Sequence, residues 1–508
     1  MESIELHWTE VDHVTTIWTD APAPLRAGLL FRTGRIDETL VTAGQTHLIE
    51  HMVLSMMSDS GRDQNGFVGG AVTAFFTMGQ PQEVCGFLAD VCNGLAALRS
   101  DRLEGEKQVL AAENAARPYS LYLNLLTWRY GAVGYGLMGM PELGIQRSTL
   151  EDLRERSEQR FIDGNAILWL SGPPPADLHL RLPHGTRQAL PALVSVEQAF
   201  PSWFVDDACG GIAAGATVPR VSAATIFGEI AYRRLRKRLR TMEAVSYAPS
   251  VSYEPLNADT AHLVLYGDSD RDRRAELVNV FGDVFNGLRK VDEAEVEAAR
   301  KQISEHWTGA LAPPRADLMV LEAKRAAMDW ILGREFEPAD LNYAQLQVVS
   351  AGDVETFVHD VEATAMFAVP GKAAVQPWFG KPAWLPRVPV VKGHEAICVD
   401  APIRRERLVY GPEGVSVIFP DSSHCTVRYS ELAAALYHDD GCVRLVGSDA
   451  VTVVVEPTLW RNGQNICRSI REGVPEHLLV RLGPRPADAI PKPRTTAWQR
   501  FRARLTKH

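Results

Sequence analysis

The chain has 508 residues, more than one hydrophobic core can serve, and its length suggests about three domains. A charged fraction of 23% and an apolar fraction of 46% are those of an ordinary globular protein, and a net charge of −10 argues against a general nucleic-acid binder. The seven cysteines are odd in number and scattered, with no C-x-x-C pair, which argues against a disulfide scaffold and suits a reducing compartment. The opening MESIELHWTEVDHV lacks the basic and apolar regions of a secretion signal, and no run of about 18 apolar residues follows. A cytoplasmic chain without a membrane span is the expectation.

Residues 6–18 and 27–33 have strand composition. After a turn at 34–38 comes the chemical centre of the sequence, Thr46-His47-Leu48-Ile49-Glu50-His51-Met52. On a helix, positions i, i+3 and i+4 share one face, so His47, Glu50 and His51 can point at one spot. Two imidazoles form half of a zinc site, and a neighbouring carboxylate can serve as a base. H-x-x-E-H is the inverted zinc-peptidase signature. The bland alternative is a surface helix with two His and a Glu. The helix is apolar around the motif, where unpaired His and Glu would be costly to bury.

A polar loop is expected at 58–66, a strand at 71–78 and a helix at 84–98. The next helix, to Ala116 and closed by Pro118, carries Glu106 and Glu113. Seven residues are almost two turns, so both carboxylates lie on one face and can supply the third ligand that a catalytic zinc needs. A flexible connection at 134–144, a capped helix at 148–160 and a buried strand at 165–172 complete this half. From about residue 194 the order recurs: helix 223–240, strands 246–253 and 261–266, helices at 273–288, from 292 past 307, at 316–332 and at 342–361, and a strand at 365–369. An internal duplication is the economical reading. Residues 372–392 are rich in Pro and Trp, as linkers are. Beyond them short strands alternate with turns, and a helix near 460–472 and a strand near 478–482 close the unit. The tail 484–508 has the composition of a disordered segment.

The stretch GRIDETLVTAGQTHLIEHMVLSMM resembles the zinc-binding segment of the pitrilysin/insulinase family of zinc peptidases, down to the Gly and the acidic pair upstream, and EKQVLAAEN resembles that family's second segment. The resemblance covers residues 6–370. It implies one Zn2+ per chain on His47, His51 and Glu113, with Glu106 as supporting carboxylate and Glu50 as general base. Leu239-Arg240-Thr241-Met242-Glu243-Ala244-Val245-Ser246-Tyr247 resembles the family's Arg/Tyr segment, which implies that Arg240 and Tyr247 contact substrate and stabilise the developing oxyanion. The alternative for that stretch is a solvated basic helix end with a packed Tyr. The sequence departs from the family in a short His51–Glu113 separation, with no clear match before Thr73 for the edge-strand Asn.

Residues 407–482 resemble a bacterial pleckstrin-homology-like domain, a partner-, peptide- or lipid-binding module, or else a passive appendage. The implied fold class is α+β: two tandem homologous α/β half-domains of the pitrilysin/insulinase type followed by a small β-rich domain. The expected boundaries are 1–193, 194–371, a linker at 372–394, the small domain at 395–483 and the tail at 484–508. The expected activity is zinc-dependent endopeptidase hydrolysis of peptides or unfolded segments, leader-peptide processing among them. The competing reading is a catalytically silent scaffold or adaptor working through the small domain. The family implies a homodimer or a heterodimer with a related subunit. The basic and apolar residues of 498–505 suit a weak membrane-surface contact.

Overall fold

The computed structural model describes residues 3–57, 64–197, 199–206, 208, 210–308, 312–371, 376–383, 388–400 and 404–494. The first half contains β1 (His7–Val11), β2 (Val14–Trp18), β3 (Leu25–Phe31), α1 (Gln45–Leu54), β4 (Gln64–Val68), β5 (Thr73–Gly79), α2 (Pro81–Ala96), α3 (Ser100–Ala116), α4 (Leu121–Tyr130), α5 (Gly144–Arg147), α6 (Leu150–Arg160) and β6 (Ala166–Leu170). Its six strands form one sheet in the order β1-β2-β6-β3-β5-β4. The strand expected across 6–18 is a hairpin, broken where Asp12 and His13 both take positive φ.

The second half contains β7 (Ser202–Val205), β8 (Gly211–Pro219), α7 (Ser222–Leu235), β9 (Ser250–Pro255), β10 (Thr260–Asp268), α8 (Arg274–Gly287), α9 (Glu293–Thr308), α10 (Arg315–Ile331), α11 (Ala339–Val348), α12 (Ala351–Thr364), β11 (Met366–Val369) and β12 (Lys381–Pro382). Its sheet runs β12-β7-β11-β8-β10-β9. From β7 to the edge strand β9, five strands repeat β2-β6-β3-β5-β4 of the first sheet strand for strand. In each, a parallel pair (β2–β6, β7–β11) is followed by antiparallel partners to the edge.

Both sheets are covered on both faces, which is why strands such as Ala166–Leu170 read as unbroken apolar runs. Leu29, Phe31, Phe75, Leu168 and Leu170 face α1, α2 and α6. The alternate residues Ile17, Leu30, Ile167 and Trp169 face Val320, Ala323, Ala327 and Ile331 of α10, a helix from the other half. The exchange is reciprocal. Leu125 of α4 packs on Phe204, Ala213, Val264, Met366 and Ala368 of the second sheet. Each half thus lends a helix to the other, and the two cannot separate without exposing both faces.

The third unit has β13 (His394–Ile397), β14 (Arg407–Gly411), β15 (Gly414–Ile418), β16 (His424–Arg428), β17 (Leu432–Tyr437), β18 (Val443–Gly447), β19 (Thr452–Val455), α13 (Gly463–Gly473) and β20 (Leu479–Arg481). Two four-stranded sheets, β13-β14-β15-β16 and β19-β18-β17-β20, enclose a core that α13 closes with Ile466, Cys467 and Ile470.

Two expectations change here. The stretch expected as a linker is packed in part. Phe379 is buried in the second half's core, half-buried Trp378 packs against it, and β12 extends the sheet. The described part of the expected disordered tail makes defined contacts. Residues 484–494 lie along the third unit, where Arg485 is paired with both Asp440 and Glu456 and Arg494 N–H donates to Asp400. Residues 495–508, with the basic and apolar segment at 498–505, lie outside the described residues. Among the described residues no helix is long and apolar enough to cross a membrane.

Candidate metal centre

The acidic pair before α1 starts the site. Asp37 takes the Arg32 guanidinium in a two-pronged pair at 2.7 and 2.8 Å. Glu38 caps α1, accepting from the Gly44 and Thr46 N–H groups at 2.7 and 2.8 Å. A carboxylate on those orphan donors, at the positive end of the helix dipole, fixes where α1 begins. His47, Glu50 and His51 then fall on one face, their ligand atoms within 4.8 Å of one another. The other face sends Leu48, Ile49, Met52 and Val53 into the core.

The helix α3 brings the expected carboxylates. Glu113 Oε2 lies 3.8 Å from His47 Nε2 and 3.6 Å from His51 Nε2. Ligands about 2.1 Å from one tetrahedral cation stand about 3.4 Å apart, so this spacing accommodates zinc with little movement. Glu106, one face-repeat earlier, stands 3.3 Å from His51 Nδ1. The corresponding Nδ1 of His47 faces Glu142, also at 3.3 Å. Each imidazole thus has its Nδ1 held by its own carboxylate and its Nε2 free to converge, the arrangement in which metal-ligating histidines are oriented.

Glu142 is the residue that sequence reasoning missed. It lies in a loop expected only to be flexible, with no periodicity to mark it. Its side chain is buried. Asn114 donates to it at 2.8 Å, and Arg35 and Arg117 approach its other oxygen at 3.7 and 3.8 Å. Burial opposes its charge, but the bond to His47 and the Arg35 charge prevail and bring its pKa down to about 2. The same bond, with the charges of Glu142 and Glu113, outweighs burial at His47 and moves it up. Burial and the neighbouring His47 move His51 down. Glu50 is 4% exposed, and burial pushes its carboxyl to about 7, with Glu113 and Glu106 adding repulsion. A carboxyl poised near neutrality is suited to exchanging protons.

These groups line an open cleft of about 680 Å³ whose remaining walls include Leu54, Asn65, Phe67, Leu123 and Met138. The edge strand that the sequence did not show is β4, and Asn65 stands on it. Asn and Gly weaken strand propensity, which hid QNGFV behind a polar loop. Gly66 of this strand has a physical reason: a Cβ there would lie 2.5 Å from Glu50 Oε1. Arg240 and Tyr247 are elsewhere. They meet each other, the guanidinium 5.2 Å from the ring centroid, at the end of a π-helical turn (Arg236–Met242) that continues α7. Neither lines this cleft, and Tyr247 is 78% exposed.

No protein-family model matches the sequence, and no curated protein matches it. Solved structures do match in fold. A protease from Helicobacter pylori aligns over 73% of this chain and 100% of its own, with a TM-score of 0.59 at 15% identity. An M16-like peptidase from Alicyclobacillus acidocaldarius, described as putative, aligns over 73% and 99% with a TM-score of 0.57 at 14% identity. The chain has the fold of M16-like peptidases. A peptidase M16 inactive domain from Pseudomonas fluorescens fits equally well, over 73% and 100% with a TM-score of 0.58 at 14% identity. M16-like architecture therefore occurs with and without activity, and the function must be argued from the side chains.

Proposed function

We propose that this chain is a zinc-dependent endopeptidase of the M16 type. One observation carries the reading: His47 Nε2, His51 Nε2 and Glu113 Oε2 converge while Glu142 and Glu106 hold the two Nδ1 atoms. Those three groups would hold the cation. Zinc, when bound, supplies Lewis acidity that polarises a carbonyl and acidifies water. Glu50 takes a proton from the attacking water at its carboxylate and passes it to the departing amine. Arg35, Arg117 and Asn114 keep Glu142 charged and in place. The free edge of β4 beside the cleft is suited to pairing with an extended peptide backbone, and Phe67, Leu123 and Met138 offer apolar walls to its side chains.

In this reading the two like-ordered sheets are duplicated peptidase halves, and the third unit is pleckstrin-homology-like. Arg240 and Tyr247 act as the facing pair only from a second chain, since they do not line the cleft of their own. A cytoplasmic location belongs to the same proposal. The scaffold reading leaves the five-residue convergence without a purpose.

The test is incubation of the zinc-reconstituted full chain with a peptide library, with and without chelator, read by mass spectrometry. Internal cleavage that chelator abolishes and zinc restores is expected. Cleavage indifferent to chelator, or none at any zinc concentration, overturns the reading.

A further inference from the structure

The third unit does not hang free. Its sheet β19-β18-β17-β20 is apolar on both faces. Ala435, Val443, Leu445, Val453 and Val455 face the unit's own core. Ala434 and Leu436 of β17, Val446 of β18 and Val480 of β20 face outward, yet all are buried. They are covered by Leu40 and Val41, which precede α1, and by Ala132 and Leu137 of the loop after α4, with Met140 and Leu143 at the margin. The approach is close enough for backbone contact. Ala132 N–H donates to the Ser448 carbonyl at 2.8 Å, and a Cβ on Gly131 would stand 2.2 Å from that same oxygen.

The covered loop is the one that carries Glu142. From Ala132 it runs through a 3₁₀ turn (Gly134–Gly139) to Glu142 and α5. Its inner side is tied to the metal centre by Arg35, which donates to the Leu137 and Met140 carbonyls at 3.0 and 2.9 Å, and by Glu142 itself on His47. On its outer side, Ala132 and Leu137 pack against Ala434, Leu436, Val446 and Val480 of the third unit, beside Leu40 and Val41. A loop of this length with only a 3₁₀ turn has little stiffness of its own.

We propose that the third unit positions the metal centre: by clamping residues 131–143 it holds Glu142 where it orients His47. Ala434, Leu436 and Val446 are positioning residues that act through Glu142. This rests on the zinc reading above.

The test uses the full chain with Leu436→Ala, Ala434→Glu, Glu142→Gln, and, as control, Val454→Glu at an exposed position on the edge strand β19 outside the covered patch. Two quantities are measured: hydrogen exchange of 131–143 in metal-free protein, and zinc affinity by chelator competition. Leu436→Ala and Ala434→Glu should speed exchange in 131–143 and weaken zinc about tenfold, the low end of losses on removing a ligand's supporting partner. Val454→Glu should change neither. Leu436→Ala added to Glu142→Gln should weaken zinc no further, because both act on one element. Should Ala434→Glu fail to fold, the milder Leu436→Ala decides. Wild-type zinc affinity in folded Leu436→Ala, or losses that multiply in the double variant, would overturn the clamp. A wild-type chain that takes up no zinc would overturn the metal-centre reading itself.

Discussion

Gly66→Ala separates catalysis from stability. The added Cβ would meet Glu50 Oε1 at 2.5 Å, with the Ala74 carbonyl at 3.1 Å and Leu54 Cδ1 at 3.2 Å. Those two neighbours stop the methyl from retreating, so the Glu50 carboxylate must move. Ordinary contact begins near 3.4 Å, and 3.4 − 2.5 gives a displacement of 0.9 Å. The moving atom is the far end of a flexible side chain bordering an open cleft, so the folded state should lose little. A proton acceptor misplaced by about 1 Å costs about 10²-fold in rate, or about 2.7 kcal/mol of transition-state stabilisation. The assay is kcat/KM on a cleaved peptide, beside zinc content and Tm. A drop of about 10²-fold with zinc content and Tm held is expected. Wild-type turnover in Gly66→Ala would refute Glu50 as the base.

The remaining predictions follow the same geometry. Glu50→Gln should keep its zinc and lose about 10²- to 10⁴-fold in turnover, whereas His51→Ala should lose the metal, read by elemental analysis. Glu142→Asp, which shortens the reach to His47, should bind zinc more weakly than wild type without changing the Tm of the metal-free chain by more than a few degrees. His262 makes a stability prediction away from the site. It is fully buried against Tyr122, and neither ring nitrogen has a hydrogen-bond partner among the described residues. Burial, then Arg129, pushes it down to about 3 from an ordinary 6.5. The folded state thus resists a proton that the unfolded chain accepts below pH 6.5. The associated stability is complete above 6.5 and falls with pH toward 3, by about 2 kcal/mol at pH 5. Denaturant melts at pH 7 and 5 should show that loss, and His262→Leu should flatten it; an unchanged slope would refute the assignment.

Much of this was legible in the sequence, and the parts that were not have physical reasons. Helix spacing alone placed His47, Glu50 and His51 on one face, and the seven-residue step placed Glu106 and Glu113 on another. The recurring order of elements anticipated two sheets of like order. Glu142 was invisible because its partner lies 95 residues away and its loop has no period. The edge strand was hidden by the Asn and Gly that suit it to the cleft: Gly66 is small to make room for Glu50. Pro and Trp mark connections as well as packed corners, and here Phe379 is core with Trp378 packed against it. Arg240 and Tyr247 meet each other, but one chain's sequence says nothing of which cleft they face.

The central claim is the cation on three named atoms. Crystals of the full chain grown with zinc should show anomalous scattering at the zinc edge at one point, about 2.0–2.2 Å from His47 Nε2, His51 Nε2 and a Glu113 carboxylate oxygen. A peak elsewhere, a peak on Glu106 in place of Glu113, or none at all would contradict the account.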